Sequence, residues 1–157
     1  MKNMRIKKRG KITPNGVSLE KHENETVVFF TELGYDIELI PPSNSPKSKT
    51  PDFMMSGVAW EMKSPQGKSK TSLEHIVKKA TKQSENIIID LSHSKMKEED
   101  AIKEIEKCFN VSNSCRKLKI ITKSHNLLEY KKWIWYNIVI EGDLAPEVRG
   151  QALFFML

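Results

Sequence analysis

Between Val58 and Leu91 the chain carries two apolar runs, VAWEMK and NIIIDL, on either side of an amphipathic stretch, and that order permits few folds. Side chains alternate faces along a strand, so Trp60 and Met62 share the buried side of VAWEMK while Glu61 and Lys63 share the other. NIIIDL is continuously apolar, the mark of a strand covered on both faces. Between them Leu73, Ile76, Val77 and Ala80 recur at helical spacing, and Thr71 with Glu74 three residues on gives the pattern of a capping box. Strand, helix, strand predicts a right-handed crossover with the two strands parallel.

The flanks extend this unit. Residues 18–33 carry a helical stripe of Val27, Phe30 and Leu33 that ends at Gly34, and YDIELI (35–40) predicts a strand. A Pro/Ser-rich loop (41–50) leads to DFMM, which turns back through Ser56-Gly57 into VAWEMK as a hairpin. A second helix at about 96–109, burying Ala101, Ile102, Ile105 and Phe109, precedes a strand at LKIIT (118–122). The fold class is α/β, a central mixed sheet with helices on both faces, and the hairpin is expected at the sheet's edge with the site in a cleft. Residues 1–17 are expected as a basic flexible leader, 18–123 as the domain, and 124–157 as a C-terminal extension of open structure. YKKWIWYNIVIEG suits either a further strand or an amphipathic helix, and QALFFML is an apolar cluster suited to packing or dimerisation. Trp133, Trp135 and Tyr136 suit core packing better than stacking on bases.

The hairpin gives the chain its chemistry. A tight turn at Gly57 brings Asp52 level with Glu61, and two carboxylates meeting at one point form a hard oxygen site of the kind Mg²⁺ or Mn²⁺ takes. Lys63, on the face of Glu61, would orient water or neutralise charge on a phosphate. Asp, eight residues, Glu, one residue, Lys is a spacing that chance also produces, and its setting on a hairpin between helices is what favours function.

Charge agrees with a polyanionic partner. Twenty-six Lys and Arg against 20 Asp and Glu leave +6, concentrated in 1–11 and 63–82. Lys47 and Lys49 in the Pro/Ser loop, and His75, Lys78, Lys79 and Lys82 on the helix after the motif, are candidate nucleic-acid contacts, with solvated surface as the alternative. His75 and His93 are also candidates for a general acid, and His22 reads as a surface residue. Cys108 and Cys115, with six residues between them, fit no zinc or redox spacing and no disulfide framework. The basic start MKNMRIKKRGK has no apolar stretch behind it, so the sequence predicts no signal peptide, no membrane span and a cytoplasmic site of action.

PDFMMSGVAWEMKSPQG followed by TSLEHIVKKATKQSENIIIDLS resembles the PD-(D/E)XK nuclease superfamily, and more narrowly the tRNA-cleaving toxin domains at the C-termini of CdiA-type contact-dependent inhibition proteins and related polymorphic toxins. The resemblance covers about residues 20–123 and is most specific at W-E-x-K-S-P-x-G and K-Q-S-x-N-I-I-I-D-L. It implies a restriction-endonuclease-like core and a metal-dependent endoribonuclease acting on tRNA, delivered as part of a larger secreted toxin and neutralised by a cognate immunity protein. It also implies that Asp52 and Glu61 bind the ion, assisted by the Met62 carbonyl, and that Lys63 positions water. Related nucleases take a further carboxylate from the first helix, and helical phase selects Glu23 over Glu25; the alternative is an acid favoured by the helix dipole. They also place a Gln or Lys from the helix after the motif near the metal, which points to Gln83, with a helix-terminal backbone bond as its alternative. Ser64 and Lys68, just past the motif, join the expected nucleic-acid contacts.

Three competing readings stand beside this one. They are a DNA endonuclease of restriction or repair type, a non-catalytic nucleic-acid-binding module, and a small regulatory protein whose Asp52, Glu61 and Lys63 lie dispersed. Oligomeric state is left open by the sequence.

Overall fold

The computed structural model describes residues 8–45 and 50–132 of the chain. Among these residues seven strands form one mixed sheet in chain order: β1 (Ile12–Thr13), β2 (Ile37–Leu39), β3 (Phe53–Met55), β4 (Val58–Lys63), β5 (Asn86–Asp90), β6 (Lys117–Ile121) and β7 (Leu127–Lys131). Helix α1 (Lys21–Glu32) precedes β2, α2 (Lys70–Gln83) links β4 to β5, and α3 (Glu98–Val111) links β5 to β6. The three strands joined by helices, β4, β5 and β6, run parallel, and β2–β3, β3–β4 and β6–β7 are antiparallel.

Alternation along the strands divides the core. Trp60 and Met62 on β4, Phe53 and Met55 on β3, and Ile37 and Leu39 on β2 meet Val27 and Phe30 of α1 on one face. Ile87 and Ile89 of β5 and Leu118 and Ile120 of β6 meet Leu73, Val77 and Ala80 of α2, and Ala101, Ile105 and Phe109 of α3, on the other. Ile88 turns to the α1 side, which explains why Ile87, Ile88 and Ile89 are all fully buried. The expected run of three isoleucines covered on both faces is found as read.

The β3–β4 turn closes on Ser56 and Gly57, with φ of 53° and 73°. Positive φ at both central positions is what a two-residue hairpin of matching twist requires. The pairs Met55–Val58 and Phe53–Trp60 set the register, so Asp52 falls opposite Glu61.

Three expectations are corrected. The hairpin lies inside the sheet and not at its edge, because β2 pairs with β3 and β1 pairs parallel with β2. Thr71 and Glu74 make no capping box: α2 starts earlier, from an N-cap at Ser69, and the Glu74 carboxylate accepts from Lys78 Nζ at 2.6 Å. The first helix begins at Lys21, later than the expected 18.

Strand β1 falls within the segment read as a leader. Gly10 there lies so close to the Tyr35 carbonyl that a Cβ would sit 1.9 Å from its oxygen, and its N–H donates to Thr31 O at 2.8 Å. Strand β7 falls within the segment read as a C-terminal extension and supplies a strand for its first residues. The rest of that extension, with Trp133, Trp135, Tyr136 and QALFFML, lies outside the described residues, as do Lys47 and Lys49. Cys108 and Cys115 are buried free thiols.

Candidate active site

Antiparallel pairing holds Asp52 from both sides of its peptide. Its N–H donates to Trp60 O at 2.9 Å, and its carboxylate Oδ2 accepts from Met62 N–H at 2.7 Å. These bonds fix the carboxyl against the middle of β4, where Glu61 projects from the same face. Glu61 is fully buried, and Lys63, two residues on and so on its side of the strand, donates from Nζ to Glu61 Oε1. The Lys63 side chain keeps 29% of its exposure, so its ammonium sits between the buried carboxylate and solvent.

Both carboxyls are driven toward the protonated form. Burial raises Glu61 to about 7, with the neighbouring Asp52 adding to the rise and Lys63 opposing it. Burial also raises Asp52, against the Met62 N–H and Lys63, while Glu23 pushes it up further. Two carboxyls in contact, each costly to ionise and backed by a single lysine, form a site short of positive charge. Glu61 Oε2 makes this concrete, since it is buried and has no hydrogen-bond partner among the described residues. Gln83 Oε1 and Ser64 Oγ are buried and unpartnered in the same way.

The fit to a divalent cation rests on that donor set. Carboxylate oxygens from Asp52 and Glu61, one of them orphaned, suit a hard ion that completes its shell with water and phosphate. Among the described residues no three His, Cys, Asp or Glu side chains gather as a metal-binding group. Glu23 is not gathered with Asp52 and Glu61 into such a group, and its Oε2 accepts the Glu20 N–H at 2.9 Å, closing a true capping box on α1. It still lines the cavity that holds Asp52 and Gln83, and is near enough to Asp52 to raise it. Of the two acids weighed by helical phase, Glu23 is the one that lines this cavity, while Glu25 pairs with His93 Nε2 at 2.6 Å.

The remaining expected residues lie around this centre. Ser64 lines a second cavity with Lys63, whereas Lys68, His75, Lys79 and Lys82 are exposed on the loop after β4 and the outer face of α2. Lys78 is partly neutralised by Glu74.

Two features escaped sequence reasoning. His22, read as a surface residue, lines the cavity beside Lys63, its side chain only 27% exposed. Asp90, at the carboxyl end of β5, is buried and accepts from Thr26 Oγ1 at 2.7 Å, tying α1 to the central strand. An aspartate closing an apolar run was the available signal.

A family model described as the contact-dependent growth inhibition CdiA C-terminal domain matches residues 49–127, which span β3 to β6 and all three motif residues. The chain belongs to that family. It is therefore a toxin domain of bacterial competition systems, the part of CdiA that such systems deliver as the end of a larger protein. The fold has a counterpart in the solved CdiA-CT/CdiI toxin and immunity complex from Burkholderia pseudomallei, with a TM-score of 0.61 at 20% identity over 78% of this chain and 100% of that one. No curated protein matches the CdiA domain in sequence. Among its described residues no helix is long and apolar enough to cross a membrane.

Proposed function

We propose that this CdiA C-terminal domain is a metal-dependent endonuclease of PD-(D/E)XK type that hydrolyses phosphodiester bonds of tRNA in the cytoplasm of a competing cell. The observation that carries the proposal is the meeting of Asp52, Glu61 and Lys63 at one point, with a buried carboxylate oxygen left unpartnered. Asp52 and Glu61 would hold Mg²⁺ or Mn²⁺, which when bound supplies an activated water and neutralises charge on the phosphate. Lys63 donates to a phosphoryl oxygen or to the attacking water, being the one group of the three with both a positive charge and access to solvent. Gln83, at the end of α2, offers its amide to the same cavity. Glu23 is fixed by its cap at the wall of that cavity, where its charge favours a cation beside Asp52.

The exposed lysines of α2 supply a positive field beside the site, as a polyanionic substrate requires. The choice of tRNA over DNA rests on the resemblance to tRNA-cleaving toxins, since cation-assisted hydrolysis does not need the ribose 2′-hydroxyl. The related Burkholderia pseudomallei toxin was solved with an immunity protein, and a cognate inhibitor with an acidic face is the corresponding partner here.

Incubation of the purified domain with total tRNA and with plasmid DNA, each in Mg²⁺ or EDTA, tests the reading. Discrete tRNA fragments that form only in Mg²⁺, with the plasmid uncut, are expected. Cut plasmid beside intact tRNA would transfer the reading to a DNA endonuclease, and both substrates intact would refute the nuclease.

A further inference from the structure

Two cavities open on either side of Glu23. The wider, about 410 Å³, runs past Asp52 and Gln83 toward Pro42 and Ser43. The narrower, about 170 Å³, begins at Lys63 and is walled by Met62, Pro65 and Ile76, with His22 lining it as well. A phosphodiester held at Lys63 and the two carboxyls thus has a broad trough on one side and a slot on the other.

The slot is built rather than incidental. Met62 and Pro65 are buried, so the strand end and the first residues after it form a fixed apolar wall. The opposite wall is α1, held against β5 by the Thr26 to Asp90 hydrogen bond, with Thr26 itself lining the slot. Ser64 also lines it, and its hydroxyl is buried with no partner among the described residues. A buried hydroxyl able both to donate and to accept, between the apolar wall of Met62, Pro65 and Ile76 and the polar wall of His22, Glu23 and Thr26, matches the edge and one face of a nucleobase.

We infer that this slot takes one unstacked nucleobase, that of the nucleotide on the Lys63 side of the cleaved bond, so that the substrate is a nucleic acid with an unpaired nucleotide at the point of cleavage. The inference rests on the nuclease reading above and deepens it. A base inside a duplex brings its partner and both stacked neighbours, which a slot of about 170 Å³ excludes. An unpaired nucleotide pays the least to leave its stack.

The test uses oligonucleotides of whichever nucleic acid the protein cuts, carrying the mapped cleavage sequence. They are offered unpaired, annealed to a full complement, or with an abasic residue on either side of the cleaved bond, to the wild type and to Ile76→Trp. Wild-type kcat/KM is expected to fall about tenfold or more for the duplex and for the abasic residue at one flank only. In Ile76→Trp, which fills the slot, the intact unpaired substrate falls to that same level and the abasic residue has no further effect. Should Ile76→Trp fail to fold, Ser64→Val tests the same slot by erasing preference among the four bases at that flank. Equal cutting of paired and unpaired substrates, insensitivity to abasic residues at both flanks, or an unchanged base preference in Ser64→Val overturns the inference while leaving the nuclease intact. No cleavage of any nucleic acid defeats the nuclease reading, and this inference with it.

Discussion

Replacing Glu61 with glutamine is expected to stabilise the domain and silence it at once. Burial raises the Glu61 carboxyl from its ordinary 4.5 to about 7. The folded protein therefore holds that proton more tightly than the unfolded chain. Below pH 4.5 both states are protonated and the stabilisation is complete; it is lost as pH rises through about 7 and stays lost above it. By linkage the loss is on the order of 3 kcal/mol. A glutamine has no charge to bury, can accept from Lys63 with its oxygen, and can donate from its amide to Asp52 where the carboxylate repelled. Thermal unfolding without divalent ions should show wild-type Tm falling between pH 5 and pH 8, while Glu61→Gln stays flat and lies higher at pH 8. Cleavage by the same variant should vanish, because the amide removes one of two anionic oxygen donors. A variant as destabilised at pH 8 as the wild type would show that the Glu61 carboxylate is well accommodated and that the site lacks the charge deficit argued here.

Lys63→Met separates charge from packing at the same place. Methionine keeps the length of the stem but removes the ammonium that meets Glu61 Oε1. Loss of one group aimed at developing charge costs roughly 10²–10³ in kcat. The effect should fall on kcat rather than KM, since the lysines of α2 that draw substrate in are untouched. Glu61 then loses the contact that opposes its rise, so cation binding should need a higher pH, while the missing ammonium keeps kcat low at every pH. A kcat within about threefold of wild type, a change far smaller than a lost transition-state donor gives, would remove Lys63 from the mechanism.

Much of this site was legible because its determinants are local. A two-residue turn at Ser56-Gly57 leaves only one register in which Trp60 and Met62 are buried, and that register sets Asp52 opposite Glu61. The crossover was equally plain, since Ile87, Ile88 and Ile89 run unbroken between Asn86 and Asp90 and so demand cover on both faces. What escaped notice lacked such a pattern. Strand β1 is two residues long, and β7 alternates weakly with only partly buried leucines. Adding β1 and β2 outside the hairpin is a tertiary choice, which is why the hairpin was misplaced at the edge. The cap was misread because Thr71 and Glu74 match the favoured residues, whereas the box that forms uses Glu20, a poor N-cap by preference. The bond that closes this box also fixes the Glu23 carboxylate at the wall of the cavity that holds Asp52. His22 escaped because helical phase shows which side a residue faces, and not that a cavity lies there.

The carboxylate pair as a cation site is the claim on which the rest depends, and calorimetric titration with Mn²⁺ at pH 8 tests it most directly. One ion per wild-type chain, weaker binding at pH 6 where Glu61 holds its proton, and none in Glu61→Gln or Asp52→Asn is the expected result. Binding that is absent from the wild type, or equal in all three proteins, would contradict it.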